Sequence, residues 1–213
     1  MFRTLLALGF FLLTACNPIR GQLNVTKAFN AQSDDRPANC SPEDSRPDCY
    51  GPITPIRFQV PPGRFDASFE FASRDSAVFS VKMGSRETRK INLNVPKNNH
   101  LPNYSGPISL TASESGQPFD LRGAVDTKES DSERRNEWQH CTRTEWQQHC
   151  DPQGCHAVPV DVPGNQWVVY HYHYTDTSLD LGIFAPGRSE ESARFSGRRN
   201  LAEKVMEQTG VCL

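Results

Sequence analysis

The sequence predicts an all-β fold: an antiparallel β-sandwich or flattened barrel with a short C-terminal helix, stapled by disulfides. Three observations predict it. Between residues 56 and 95 apolar and polar residues alternate with period two in four successive runs, the mark of strands with one buried and one wet face. Turn-forming residues such as Pro61-Pro62-Gly63 divide the runs. Seven cysteines, three of them crowded into EWQHCTRTEWQQHCDPQGCH (residues 137–156), supply the staples.

The N-terminus decides how those cysteines are read. Residues 1–15 carry one positive charge, Arg3, then an apolar run from Leu5 to Leu13 and small residues up to Cys16. That is the layout of a secretory signal peptide, short of the about 20 apolar residues a membrane-spanning helix needs. Leu13-Thr14-Ala15-Cys16 resembles the lipobox of bacterial lipoproteins. The resemblance is confined to this segment. It implies that the Cys16 thiol takes a diacylglyceryl group, that residues 1–15 are removed, and that the new amino terminus is acylated, a firm membrane anchor. In that family an Asp after the lipidated cysteine tends to hold the protein in the inner membrane. Asn17 stands here, which favours the outer membrane, on its periplasmic or surface face.

Residues 16–37, polar and aperiodic, read as a lipidated flexible tether, and residues 38–213 as one all-β domain. In an exported chain the six cysteines left after Cys16 read as three disulfides. Cys40 and Cys49 enclose a polar loop with two prolines and pair with each other. Cys150 and Cys155 flank Asp151-Pro152-Gln153-Gly154, a turn sequence, and face each other across a hairpin. Cys141 and Cys150 lie about 30 Å apart on one straight strand and cannot bond, so Cys141 meets Cys212 by elimination.

The four alternating runs are Ile56/Phe58/Val60, Phe65/Ala67/Phe69/Phe71, Phe79/Val81/Met83 and Ile91/Leu93/Val95. Residues 107–112 and 118–125 add two strands. Residues 126–136, dense in both charge signs with no apolar residue, read as a solvated loop, or as the boundary between two small β domains. Val158, Val160 and Val162 alternate with Pro159 and Pro163, which fits an edge strand or an extended loop. QWVVYHYHY (residues 166–174) is apolar or aromatic on both faces and reads as an interior strand, and Leu179, Leu181 and Ile183 form another. The C-terminal helix spans about 201–209: Asn200 caps it with Glu203 three residues on, and Leu201, Ala202, Val205 and Met206 make its apolar stripe.

Composition excludes a nucleic-acid partner: the formal charge is −2 for the whole chain and −3 once residues 1–15, with their single Arg, are removed, and no basic run breaks this. No nucleophile elbow, zinc-protease helix, phosphate-binding glycine loop or dinucleotide fingerprint occurs. Ser178, His173 and Asp176 or Asp180 allow a triad to be drawn, as nearly any chain of this length does. A metal reading falls on His171 and His173, which share a strand face. An oxidising compartment ties up the thiols, so such a site uses histidines alone; the plainer role of the two rings is packing beside Trp167. A ligand-surface reading assigns Tyr170, Tyr172 and Tyr174, with Trp138 and Trp146, to an aromatic shelf for a sugar or peptide. The expectation is a non-catalytic binding or structural protein of the cell envelope. It needs no cofactor, and its partners are the membrane, through the anchor, and an envelope protein or the cell wall.

Overall fold

The computed structural model describes residues 17–33, 55–73, 75–85, 87–96, 101–102 and 104–213. Cys16, Cys40 and Cys49 lie outside the described residues. The fold is all-β, antiparallel and disulfide-stapled. Its strands are β1 (Ile19–Val25), β2 (Phe29–Ser33), β3 (Ile56–Val60), β4 (Gly63–Ser73), β5 (Ser76–Lys82), β6 (Thr88–Asn94), β7 (Gly106–Leu110), β8 (Asp120–Asp131), β9 (Arg135–Asp151), β10 (Gly154–Phe184) and β11 (Glu191–Thr209). A one-turn helix, α1 (Ala112–Ser115), is capped by Thr111 and Glu114 in a reciprocal box. The chain divides into two compact units: residues 1–127 with 177–199, and residues 128–176 with 200–213. β8, β10 and β11 contribute residues to both.

In the first unit the sheet runs β6-β5-β4-β1-β11-β10-β8-β7, and β2 pairs with β3 in a second, two-stranded sheet. The four alternating runs become β3 to β6, with Phe69, Phe79, Val81, Ile91 and Leu93 buried as their period requires. Both sheets feed one core: Phe79 meets Phe195 of β11 edge-on at 5.3 Å, and Phe29 of β2 meets Phe119 at 5.6 Å. Each such buried side chain stabilises by roughly 1.5–3 kcal/mol.

Two expectations are corrected. Residues 19–33 are no tether; β1 lies between β4 and β11 in the middle of the sheet, and Ile19, Leu23 and Val25 are buried. Its alternation is hidden because Gly21 occupies an inward position. Gly21 stands opposite Gly197 on β11, and a Cβ at Gly21 would lie 2.1 Å from the Ser196 carbonyl oxygen. The charged run 126–136 is no loop but mostly strand: β8 continues to Asp131 and β9 begins at Arg135, so only residues 132–134 connect them. Charged side chains are tolerated on strand faces open to water. The alternative reading of this run, a boundary between two units, agrees with the division after Thr127.

The second unit holds the third correction. Residues 201–209 are the end of β11, not a helix. The helical pattern loses to backbone pairing, because β10 is long enough to need a partner along its edge and an isolated short helix is marginal. The extended chain carries on past β11, with Gly210 N–H donating to the Trp167 carbonyl (2.6 Å) and Leu213 exchanging hydrogen bonds with Asn165 (2.9 and 3.0 Å). Val168 and Tyr170 are the fully buried hydrophobic residues of this unit among the described residues. So small a core leaves covalent staples to do much of the holding.

Gly21→Val is expected to destabilise the protein by about 1–3 kcal/mol, since the new side chain meets backbone that cannot retreat. Urea unfolding followed by circular dichroism checks it; an unchanged midpoint would mean that β1 does not pair as described.

Candidate functional site

The second unit is built on a long hairpin. β9 and β10 pair from Arg135↔Tyr170 to Asp151↔Gly154 without a register shift. Asp151 makes the turn, its carboxylate accepting from the Gln153 N–H at 2.8 Å, and the Cys150–Cys155 disulfide closes the tip between directly opposed residues. Cys141–Cys212 is the second disulfide, with Cα atoms 5.9 Å apart, and ties the C-terminus to the middle of β9. Both bonds are those expected from cysteine spacing. The loop closed by Cys141–Cys212 contributes about 4 kcal/mol on the chain-entropy model.

Gly164 explains how that bond fits. It stands opposite Cys141, and a Cβ there would lie 2.3 Å from the Leu213 oxygen and 3.0 Å from Cys212 Sγ. The missing side chain is the space through which the C-terminal segment crosses. From Gly154 to Gly164, β9 is the strand paired with β10 among the described residues. Pro159 and Pro163 fall in this stretch, where the edge away from β9 has no ladder to interrupt. Beyond it, residues 166–174 are interior strand as their composition predicts.

Strict alternation gives the hairpin two faces with different contents. One bears Trp138, His140, Thr142, Thr144 and Trp146 from β9, with Pro159, Asp161, Pro163, Asn165 and Trp167 from β10 opposite them. Every one of these residues is exposed. Trp138 is 60 % accessible, Trp146 71 % and Trp167 41 %, and these are all the tryptophans of the chain. Trp138 and Trp167 are cross-strand partners with ring centroids 5.3 Å apart, edge to face. Thr144 Oγ1 donates to Asp161 Oδ1 at 3.0 Å. The face is thus aromatic, with short neutral polar groups between the rings and a single carboxylate.

The other face bears the tyrosines. Tyr170 is 8 % accessible, and Tyr172 and Tyr174 are half-buried. The three rings form a ladder at 5.7 and 6.3 Å. Lys204 Nζ lies 3.8 Å over the Tyr170 ring, and Arg135 lies 5.9 Å over Tyr172. Lys204 also bonds Glu137. That bond, with those from Gln139 and Tyr170, pulls the Glu137 carboxyl below its usual range and raises the Lys204 ammonium. Loss of water, then the bond to Glu137, raises the Tyr170 phenol. The expected single shelf of tyrosines and tryptophans is therefore corrected. Trp167 and Tyr170 stand an odd step of three positions apart, so the two sets lie on opposite faces; the tyrosines are packing and the tryptophans are surface. Trp167, the most useful addition to the shelf, is legible in the sequence only once it is paired with Trp138.

His171 and His173 share the tryptophan side of β10 and are bound by carboxylates. His171 Nδ1–H donates to Glu207 Oε1 at 2.9 Å, and Arg134 braces Glu207 from beyond at 2.7 Å. His173 Nδ1–H donates to Asp131 Oδ1 at 2.7 Å, with Glu129 at 4.0 Å from its other nitrogen. Among the described residues no group of three or more His, Cys, Asp or Glu side chains is arranged to hold a metal ion. The triad drawn from sequence is likewise unassembled. The Ser178 hydroxyl donates to the Asp126 carbonyl at 3.4 Å, Asp176 accepts from Asn200, and Asp180 takes the Ser196 hydroxyl at 2.9 Å. In the first unit a groove lined by Arg20, Gln22, Asp66, Ser68, Lys82 and Thr88 lies on the wet side of β1, β4 and β5.

Comparison with protein-family models, with curated proteins and with solved structures finds no match to this chain.

The Asp131 hydrogen bond raises His173 above the ordinary imidazole value; partial desolvation opposes it, and the charges of Asp131, Glu129 and Glu203 add to it. A folded value above the unfolded one means that the stabilisation is complete below the unfolded pKa and is lost as pH rises through the folded one. Asp131→Asn is therefore expected to lower the His173 midpoint in an NMR titration and to flatten the fall in stability between the unfolded and the folded midpoints. A midpoint unmoved by the substitution would rule out the Asp131 contact as its cause.

Proposed function

We propose that this is a non-catalytic binding protein of the bacterial cell envelope, anchored in the outer membrane through Cys16, whose ligand surface is the tryptophan face of the β9–β10 hairpin. The observation that carries the reading is the exposure of all three tryptophans on one side of one hairpin. Indole rings left in water at this density are costly unless something covers them, and large exposed apolar patches mark interaction sites. The hairpin is held rigid by two disulfides, which lowers the ordering cost of binding.

The ligand class follows from what lies between the rings. Indoles stack on the C–H faces of sugar rings, while Thr142, Thr144, Asn165 and Asp161 offer hydroxyl and carbonyl partners to sugar hydroxyls. Trp138 and Trp146 are eight residues apart on β9, a span of about 27 Å, which suits a linear glycan rather than one sugar. A face whose residues are all exposed fits a polymer that arrives from the side. The anchor rests on the lipobox-like Leu13-Thr14-Ala15-Cys16 and on the compartment that paired cysteines imply.

Two outcomes are expected. Full-length protein should be retained by insoluble cell-wall glycan, Trp138→Ala with Trp146→Ala should lose at least about tenfold in affinity, and Tyr172→Ala should bind as the parent does. Retention that is indifferent to the tryptophans removes the reading. Expressed in a bacterium that processes lipoproteins, the chain should partition into detergent, and Cys16→Ser should move it to the aqueous phase; an aqueous parent protein removes the anchor.

A further inference from the structure

The outer edge of β9 is open. β10 occupies one side of this strand, and among the described residues no strand pairs with the other. Every second residue therefore presents an N–H and a C=O to solvent along an edge of seventeen residues, the situation that invites a further strand. The hairpin's other open edge carries Pro159 and Pro163, which lack the donor a new strand would need; β9 contains no proline. We propose that the β9 edge binds the β9 edge of a second copy of this chain, antiparallel and centred on His140.

The register comes from charge. A two-fold axis through an antiparallel edge-to-edge pair lies perpendicular to the sheet, so like faces meet and each residue opposes one of the same parity. Centring on His140 sets Arg135 against the second copy's Glu145 and Glu137 against its Arg143, and symmetry repeats both pairs. All four residues lie on the same face. Neighbouring registers fail: centring on Gln139 opposes Arg135 to Arg143, and centring on Cys141 opposes Glu137 to Glu145. Centring on Arg143, which overlays the whole of β9, opposes that residue to itself. Like charges directly opposed on a sheet are destabilising and opposite charges stabilising. Arg143 and Glu145 already bond each other along the strand at 2.7 Å and Glu137 bonds Lys204, yet all remain partly open to solvent and can share a second partner.

The pairing joins two hairpins into one continuous sheet and sets the tryptophan faces of both copies on the same side. It does not depend on what those faces bind. A glycan-binding failure and a pairing failure are read in separate experiments.

The test is a charge swap. R143E/E145R keeps the ion pair along the strand and the net charge but turns every cross-copy pair into a like-charge pair. R135E/E137R likewise keeps the net charge and makes every cross-copy pair like-charged, at the loss of the Glu137–Lys204 bond within the copy. In sedimentation of the full-length protein over a wide concentration range, the parent is expected to dimerise and each swap to weaken dimerisation at least about tenfold. An equimolar mixture of the two swaps restores opposite charges at every position and should dimerise as the parent does. A monomeric parent, swaps that dimerise unchanged, or a mixture no better than its components would each overturn the proposal. His140→Cys gives a second readout on an otherwise unaltered strand. Position 140 opposes itself at the axis and should form a copy-to-copy disulfide, whereas Thr144→Cys, opposed to Asn136, should not; equal cross-linking of both, or of neither, rejects the register.

Discussion

The backbone of β10 is the constraint on which the rest of the structure depends. Residues 154–184 form one extended strand, and nearly every N–H and C=O along it needs a partner or water. One edge is taken first by β9, and β8 is a further neighbour; the opposite edge is taken by β11 and then by residues 210–213. Between Gly154 and Gly164, where no strand among the described residues pairs with that edge, two prolines stand in place of donors. The same demand overrides the helical pattern of residues 201–209. A short helix there satisfies its own backbone but leaves β10 bare, so the strand wins.

Much of this was legible from period alone. The alternations that become β3 to β6, the proline-marked edge stretch, the interior strand through residues 166–174 and both described disulfides follow from counting residues and asking which way side chains point. The failures have physical causes. β1 was hidden because the position that would have continued its apolar alternation is Gly21, chosen for close approach to Ser196 rather than for burial. The length of β8 was hidden because residues 126–131 place charge on both faces and bury nothing after Val125, so no hydrophobic signal marks them. β11 was misread because LAEKVMEQ satisfies a helical stripe as well as a strand, and only the presence of a long partner decides between them.

The candidate site shows the same limit at finer grain. Parity along one strand correctly separates Trp138 and Trp146 from Cys141, and Trp167 from Tyr170, but it does not say which of two aromatic faces is dry. That depends on what packs there: Lys204 and Arg135 come over the tyrosines, and nothing among the described residues covers the tryptophans. Placing Lys204 over Tyr170 requires β11 to be a strand, so the extended C-terminus and the packed tyrosine face are one feature.

The two units solve the problem of stability differently, and this bears on function. The first is held by a continuous apolar core with Phe, Leu and Ile at near-zero exposure. The second buries Val168 and Tyr170 and little else, so its order comes from ladder hydrogen bonds, two disulfides and the charged contacts of Glu137, Lys204, His171 and His173. A hairpin stabilised this way commits few apolar side chains to its own interior and leaves its tryptophans facing outward. The result is a hairpin face that is open to water among the described residues and covalently stiffened at two points. What it offers is area, aromatic rings at fixed spacing and an open backbone edge. All three follow from one arrangement: ladder bonds, disulfides and charged contacts supply the order, and the indoles are left out of the interior.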